Sequence, residues 1–215
     1  MNEFLEKIQS GRQYRSMQIR TADTDEGEQY KVRGYATTFN EPYVLMTWKD
    51  FEIREQVDPG AFDDADMSDV IMQYDHRGRV FARLKNKTMN LTVDNHGLLM
   101  DADLGGTEIG RQLYEEIKGG YTDKMSFGFT VAEDRVEEFD EGDKRIYLRT
   151  IVKVGKLYDV SAVSIPANDG TEISARAFCD GVIAKREAER LLAEKAKRDR
   201  DYIELKTKLM KCKGE

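Results

Sequence analysis

From Ser16 to Ile165 the apolar residues fall in short β-suited runs closed by Gly, Asp, Asn or Pro, and this punctuation restricts the fold more than any other feature. Ser16–Arg20 and Gln29–Phe39 flank the polar stretch Thr21–Glu28, which predicts a hairpin with a flexible tip. Phe51–Val57 alternates apolar and polar residues, as a half-buried strand does. Asp58 then stands where it can cap a short helix, and Pro59 where it can open one. Val70–Tyr74, Val80–Leu84, Met89–Val93 and Leu98–Leu104 are further strand candidates, the last two joined by a tight turn at Asp94-Asn95-His96-Gly97. Lys124–Glu138, Arg145–Val154 and Leu157–Ile165 predict an antiparallel meander of three strands, with a charged turn at Asp140-Glu141-Gly142-Asp143. Pro166-Ala167-Asn168-Asp169-Gly170 ends it.

Only one segment inside this pattern has helical period: in Thr107–Lys118 the residues Ile109, Leu113 and Ile117 recur every four positions, and Gly119-Gly120 supplies a stop. Beyond Gly181 the character changes. Val182–Lys211 contains no Pro or Gly and is built from strong helix formers, which predicts a long helix. Its apolar stripe fades around Lys195–Arg200, too broken for a coiled coil. Charge divides at the same place: Lys185–Lys213 carries eleven basic and six acidic residues, whereas Met1–Ala184 carries 23 basic and 34 acidic. The chain thus reads as an acidic domain over 1–180 and a basic helical tail over 181–215. Pattern alone leaves the tail either a solvated helix or an arm for a partner.

Several function classes drop out. No run approaches the about 20 apolar residues of a membrane-spanning helix, and Met1–Ser10 lacks the apolar stretch of a secretory signal. Cys179 and Cys212 are the only cysteines, which fits a reducing, intracellular setting better than a disulfide framework. No metal-ligand spacing and no phosphate loop is present, so neither a metal nor a cofactor is expected. The acidic body repels phosphate and the tail mixes acids among its bases, which argues against specific nucleic-acid binding.

With two histidines in 215 residues, the search for a proton-transfer group is short. His76 follows the run Val70–Tyr74, where a strand end fixes a side chain that the loop keeps accessible. His96 reads as a turn residue. Ser126 lies between apolar neighbours in Met125-Ser126-Phe127-Gly128-Phe129, an unusual setting for a hydroxyl unless it faces solvent or reacts. Asp159, in Leu157-Tyr158-Asp159-Val160-Ser161, either faces solvent or is buried with a partner. Hydroxyl, base and orienting acid are the three roles serine hydrolysis needs, but a chain of this length commonly contains one of each.

Taken in order, Arg33-Gly34-Tyr35-Ala36 with Phe39, Glu55 to Gly60-Ala61-Phe62, Asp75-His76, Asp94 to Gly97-Leu98, Ser126-Phe127-Gly128-Phe129, and Leu157 to Ser161 with Pro166-Ala167-Asn168 resemble the prohead maturation serine proteases of tailed bacteriophages. The resemblance covers about residues 33–176. It implies an α+β, mainly β fold, a mostly antiparallel β-barrel with surrounding helices, similar to the herpesvirus assembly proteases, followed here by the long C-terminal helix. It implies a serine endopeptidase of head maturation, inside the prohead in the host cytoplasm, that cleaves the scaffolding part of the major capsid protein and itself, with self-association and no membrane partner. His76 corresponds to the general base, Ser126 to the nucleophile and Asp159 to the third member, where the family more often has glutamate. Because the herpesvirus enzymes use a second histidine as third member, His96 is the alternative to Asp159. A noncatalytic capsid assembly or scaffolding protein on the same fold is the competing reading.

Overall fold

Alternation of apolar and polar residues drives most of the chain into strands, and their pairing yields two sheets. The computed structural model describes residues 13–22, 30–164 and 173–212. In chain order its elements are β1 (Gln13–Gln18), β2 (Arg20–Thr21), β3 (Lys31–Thr38), β4 (Tyr43–Thr47), β5 (Phe51–Val57), β6 (Ile71–Tyr74), β7 (Arg77–Arg83), β8 (Met89–Val93), β9 (Gly97–Asp103), α1 (Glu108–Lys118), β10 (Lys124–Glu141), β11 (Lys144–Val163) and α2 (Ile173–Cys212). The mainly β class with a long C-terminal helix is as expected. Among the described residues the strands do not close into a barrel: one sheet has seven strands, ordered β1-β10-β11-β5-β4 with β6 and β7 joined on at β11, and the other has four, ordered β2-β3-β9-β8. The expected tip of the first hairpin, and the break after Val163 from Pro166 to Gly170, lie outside the described residues.

The expected three-strand meander is instead two long strands, β10 and β11, which pair antiparallel along their whole length. Gly155-Lys156 does not turn the chain. The pairing shifts register between Gly128 and Phe129 and again between Thr130 and Val131, and the Thr130 hydroxyl accepts the Lys156 N–H at 3.1 Å. Bulges of this kind bend a strand without ending it. One edge of β11 carries β5 and then β6, both parallel to it, with 58–70 laid between them. That segment is not the helix that Asp58-Pro59 suggested. It is a run of turns, in which Ala61 bonds back to Asp58 and Asp63 to Gly60, held on β11 by Asp58 N–H to Ile151 O and Asp66 N–H to Gly155 O. β4, which carried no expectation, pairs with β5 as the outer strand.

The core lies where the sheets meet, on Val32, Ala36, Leu98 and Met100 of the small sheet and Met125, Phe127, Phe129, Leu157 and Val160 of the large one. Phe127 and Phe129 stack at 4.5 Å, and complete burial of such side chains contributes about 1.5–3 kcal/mol each. The sheets approach so closely at Gly34 that a β-carbon there would lie 2.6 Å from Met125 Sδ and 2.7 Å from Gln18 O, so only glycine fits. α1 begins at Thr107, whose hydroxyl accepts Gly110 N–H, and buries Gly110, Leu113 and Ile117. A buried ion network ties the large sheet together sideways: Glu55 of β5 accepts Arg15 Nε of β1 and the Tyr43 hydroxyl of β4, each at 2.5 Å, and Arg149 of β11 at 2.9 Å. Arg149 also reaches Asp134 of β10 at 2.6 Å. Burial pushes the Glu55 carboxyl up, but the guanidiniums of Arg15 and Arg149 outweigh it and hold the group at about 2.

The chain divides into two units, Met1–Arg176 and Ala177–Glu215. Most of the second lies in α2, which starts at Ile173, ahead of the Gly181 expected to precede it; one glycine costs a helix only about 1 kcal/mol. From Glu187 to Glu204 its side chains are exposed, including Leu191, Leu192, Tyr202 and Ile203. No helix among the described residues is long and apolar enough to cross a membrane.

Candidate active site

β6 and β7 are joined by a two-residue loop, Asp75-His76, with Tyr74 paired to Arg77. Both loop residues have positive φ, 48° and 58°, the combination a tight hairpin of this hand requires. Left-handed backbone costs a non-glycine residue about 1–2 kcal/mol. Asp75 offsets that cost: its N–H bonds Ala162 O at 2.9 Å, and its carboxylate accepts both the N–H and the hydroxyl of Ser164. The loop is thereby clamped to the end of β11, and His76 is aimed.

Its aim is Asp159. His76 Nδ1 lies 2.5 Å from Asp159 Oδ1; the imidazole is 18% exposed and the carboxylate not at all. Ser161, two residues further along β11 and so on the same face, donates its hydroxyl to the same Asp159 oxygen at 2.6 Å. The Ser161 oxygen in turn accepts Gln73 N–H from β6 at 3.2 Å.

Register brings Ser126 to this face. On β10, period two sends Met125, Phe127 and Phe129 into the core and turns Ser126 and Gly128 the other way. Ser126 is directly opposite Ser161, and Gly128, with no side chain to intrude, is opposite Asp159. Ser126 is fully buried, and its Oγ has no hydrogen-bond partner among the described residues. His76, Asp159 and Ser126 are therefore grouped by three strands, the first two in contact. His96 is elsewhere. It sits in the β8–β9 turn of the small sheet, where its N–H bonds Asp94 at 2.8 Å and its ring packs edge-on against Tyr35 at 4.5 Å.

Comparison with known families matches residues 15–182 to the caudovirus prohead serine proteases. The chain belongs to that family. No curated protein and no solved structure matches it. The match to the prohead protease family extends back to Arg15, ahead of Arg33 where the sequence resemblance began. Two residues of this cluster carry no role in the sequence pattern, Ser161 and Asp75. The Asp159-x-Ser161 spacing is a signal for the first, since it puts both on one strand face; Asp75 shows its part only once β11 is beside it.

Proposed function

We propose that the chain is a serine endopeptidase of head maturation in which Ser126 is the nucleophile, His76 the general base and Asp159 the group that orients the imidazole. One observation supports this: a buried serine hydroxyl without a hydrogen-bond partner among the described residues lies on the same sheet face as a buried carboxylate already bonded to a histidine. An unsatisfied buried hydroxyl costs about 1–3 kcal/mol, an expense a purely structural serine has no reason to carry.

The chemistry follows from the bonding. With Nδ1 directed at Asp159, the proton of neutral His76 resides on Nδ1 and the lone pair on Nε2. Nε2 takes the Ser126 proton as Oγ attacks the scissile carbonyl, then returns it to the leaving amine; water releases the acyl-enzyme by the same route. Asp159 stays ionised and stabilises the imidazolium. Because Ser126 has no solvent exposure, the chain covering it must move before a peptide carbonyl can reach Oγ.

Family membership supports a capsid-related substrate, and we take it to be the scaffolding part of the major capsid protein inside the prohead, together with the chain itself. Co-expression with the capsid protein tests this. The wild-type chain is expected to trim both proteins and to react with a fluorophosphonate, and Ser126→Ala to remain folded and do neither. Unchanged processing by Ser126→Ala would remove the assignment. A folded wild-type chain that neither processes nor labels would instead favour the noncatalytic assembly protein.

A further inference from the structure

Beside His76 the hairpin β6–β7 and the helix α1 enclose a groove of about 430 Å³, within the range of about 300–1,000 Å³ typical of ligand sites. Strand period two puts Arg77, Arg79 and Phe81 on its β7 wall, with Tyr74 across from Arg77. Helical spacing puts Ile109 and Leu113 on the facing wall. Arg77 is the next residue after His76, so the groove begins one residue from the proposed base.

Most described arginines of the domain are held by carboxylates, and the two of this groove, together with Arg20 and Arg111, are the exceptions. Arg15, Arg33, Arg54, Arg83, Arg145 and Arg149 each pair with a carboxylate. Arg77 and Arg79 are exposed, and among the described residues neither makes an ion pair or a side-chain hydrogen bond. In a body with 34 acidic residues, two neighbouring exposed guanidiniums without a carboxylate are available to one from another chain. One acid, Glu116, lines the same groove, and it pairs with neither arginine, so the groove keeps a net positive charge.

We propose that this groove is a substrate subsite that takes an extended stretch of polypeptide carrying carboxylates beside apolar side chains. The carboxylates meet the Arg77 and Arg79 forks, which match carboxylate geometry, and the apolar side chains rest on Phe81, Ile109 and Leu113. The proposal rests on the protease reading for its purpose, and its binding chemistry stands without it. It also sets a preference against the molecule's overall field, since a net charge of −7 would otherwise favour basic peptides.

The test uses the full chain carrying Ser126→Ala, so that binding is read without cleavage, and two fluorescein-labelled hexapeptides, one of alternating leucine and glutamate, the other of leucine and lysine. Fluorescence anisotropy near 0.15 M salt is expected to show the glutamate peptide bound about tenfold more tightly, the order of one charge-assisted hydrogen bond. Adding Arg77→Glu and Arg79→Glu is expected to invert that preference, an outcome loss of folding cannot imitate. Arg77→Gln with Arg79→Gln is expected to erase it. No glutamate preference in the starting protein, or the same preference in all three, would overturn the subsite. Failure of the wild-type chain to react with a fluorophosphonate would count against the protease reading and leave the peptide result standing.

Discussion

Glu55→Gln is the sharpest probe of how the site-bearing sheet is held together. The substitution keeps size and shape but removes the buried charge that Arg15 and Arg149 share, leaving Arg149 its second carboxylate, Asp134. Lowering of the Glu55 carboxyl from 4.5 to about 2 corresponds to about 3 kcal/mol of stability at neutral pH. Breaking a buried pair from one side costs about 3–5 kcal/mol by comparison with other proteins, so the two routes agree. For a chain of this size that is a fall of about 10 °C in Tm. The sign with pH is fixed: a depressed carboxyl contributes fully above its unfolded value of about 4.5 and loses that contribution as pH falls toward 2. Between pH 7 and pH 3 the gap between wild type and variant should therefore narrow by about 2 kcal/mol. Other titrating groups, such as Asp66 and Asp69, are common to both proteins and cancel in the difference. Urea unfolding of both proteins at a series of pH values measures it. A gap under about 1 kcal/mol at pH 7, or one that does not narrow on acidification, would refute the reasoning, because Glu55 would then not be an ionised partner of the two arginines.

Asp159→Asn should lower kcat by up to about 10⁴-fold while the fold persists, since an amide at that position favours the wrong tautomer of His76; full activity in a peptide-cleavage assay would remove Asp159 from the mechanism and reopen the case for His96. Ser161→Ala should lower kcat about tenfold with KM little changed, because Asp159 Oδ1 loses a donor and Gln73 N–H loses its acceptor, and Ser161→Thr, which keeps the hydroxyl, should restore most of it. Equal kcat values for all three proteins would mean that Ser161 only fills space.

Local chemistry made much of this molecule readable in advance. The strand runs, the helix from Glu108 to Lys118 and the helical tail follow from alternation, four-residue spacing and the absence of Pro and Gly, and each of these signals is confined to a few neighbouring residues. His76, Ser126 and Asp159 also stand out by residue type and setting, and by their place in a family motif. Where the reading failed, a distant partner had changed the outcome. The gap between Arg145–Val154 and Leu157–Ile165 reads as a turn, but β10 runs beside it and converts the irregularity into a bulge. Asp58-Pro59 reads as a helix start, but β11 offers its backbone to that segment and holds it as turns.

The site itself belongs wholly to the tertiary level. Nothing near Asp159 in the sequence says whether its carboxylate meets His76, His96 or water. That choice is made by the parallel pairing of β6 with β11, which brings the Asp75-His76 loop to the end of the strand carrying Asp159. Nor does the Met125–Phe129 run reveal that Ser126 shares a face with Asp159. A shift of one residue between β10 and β11 would send Ser126 into the core and its phenylalanines out, and burial of Phe127 and Phe129 prevents that slip. Local residue pattern set which residue types were available and which segments would be strands. Only the packed sheets decided which of those residues meet, because strand register is set by a core assembled from both sheets.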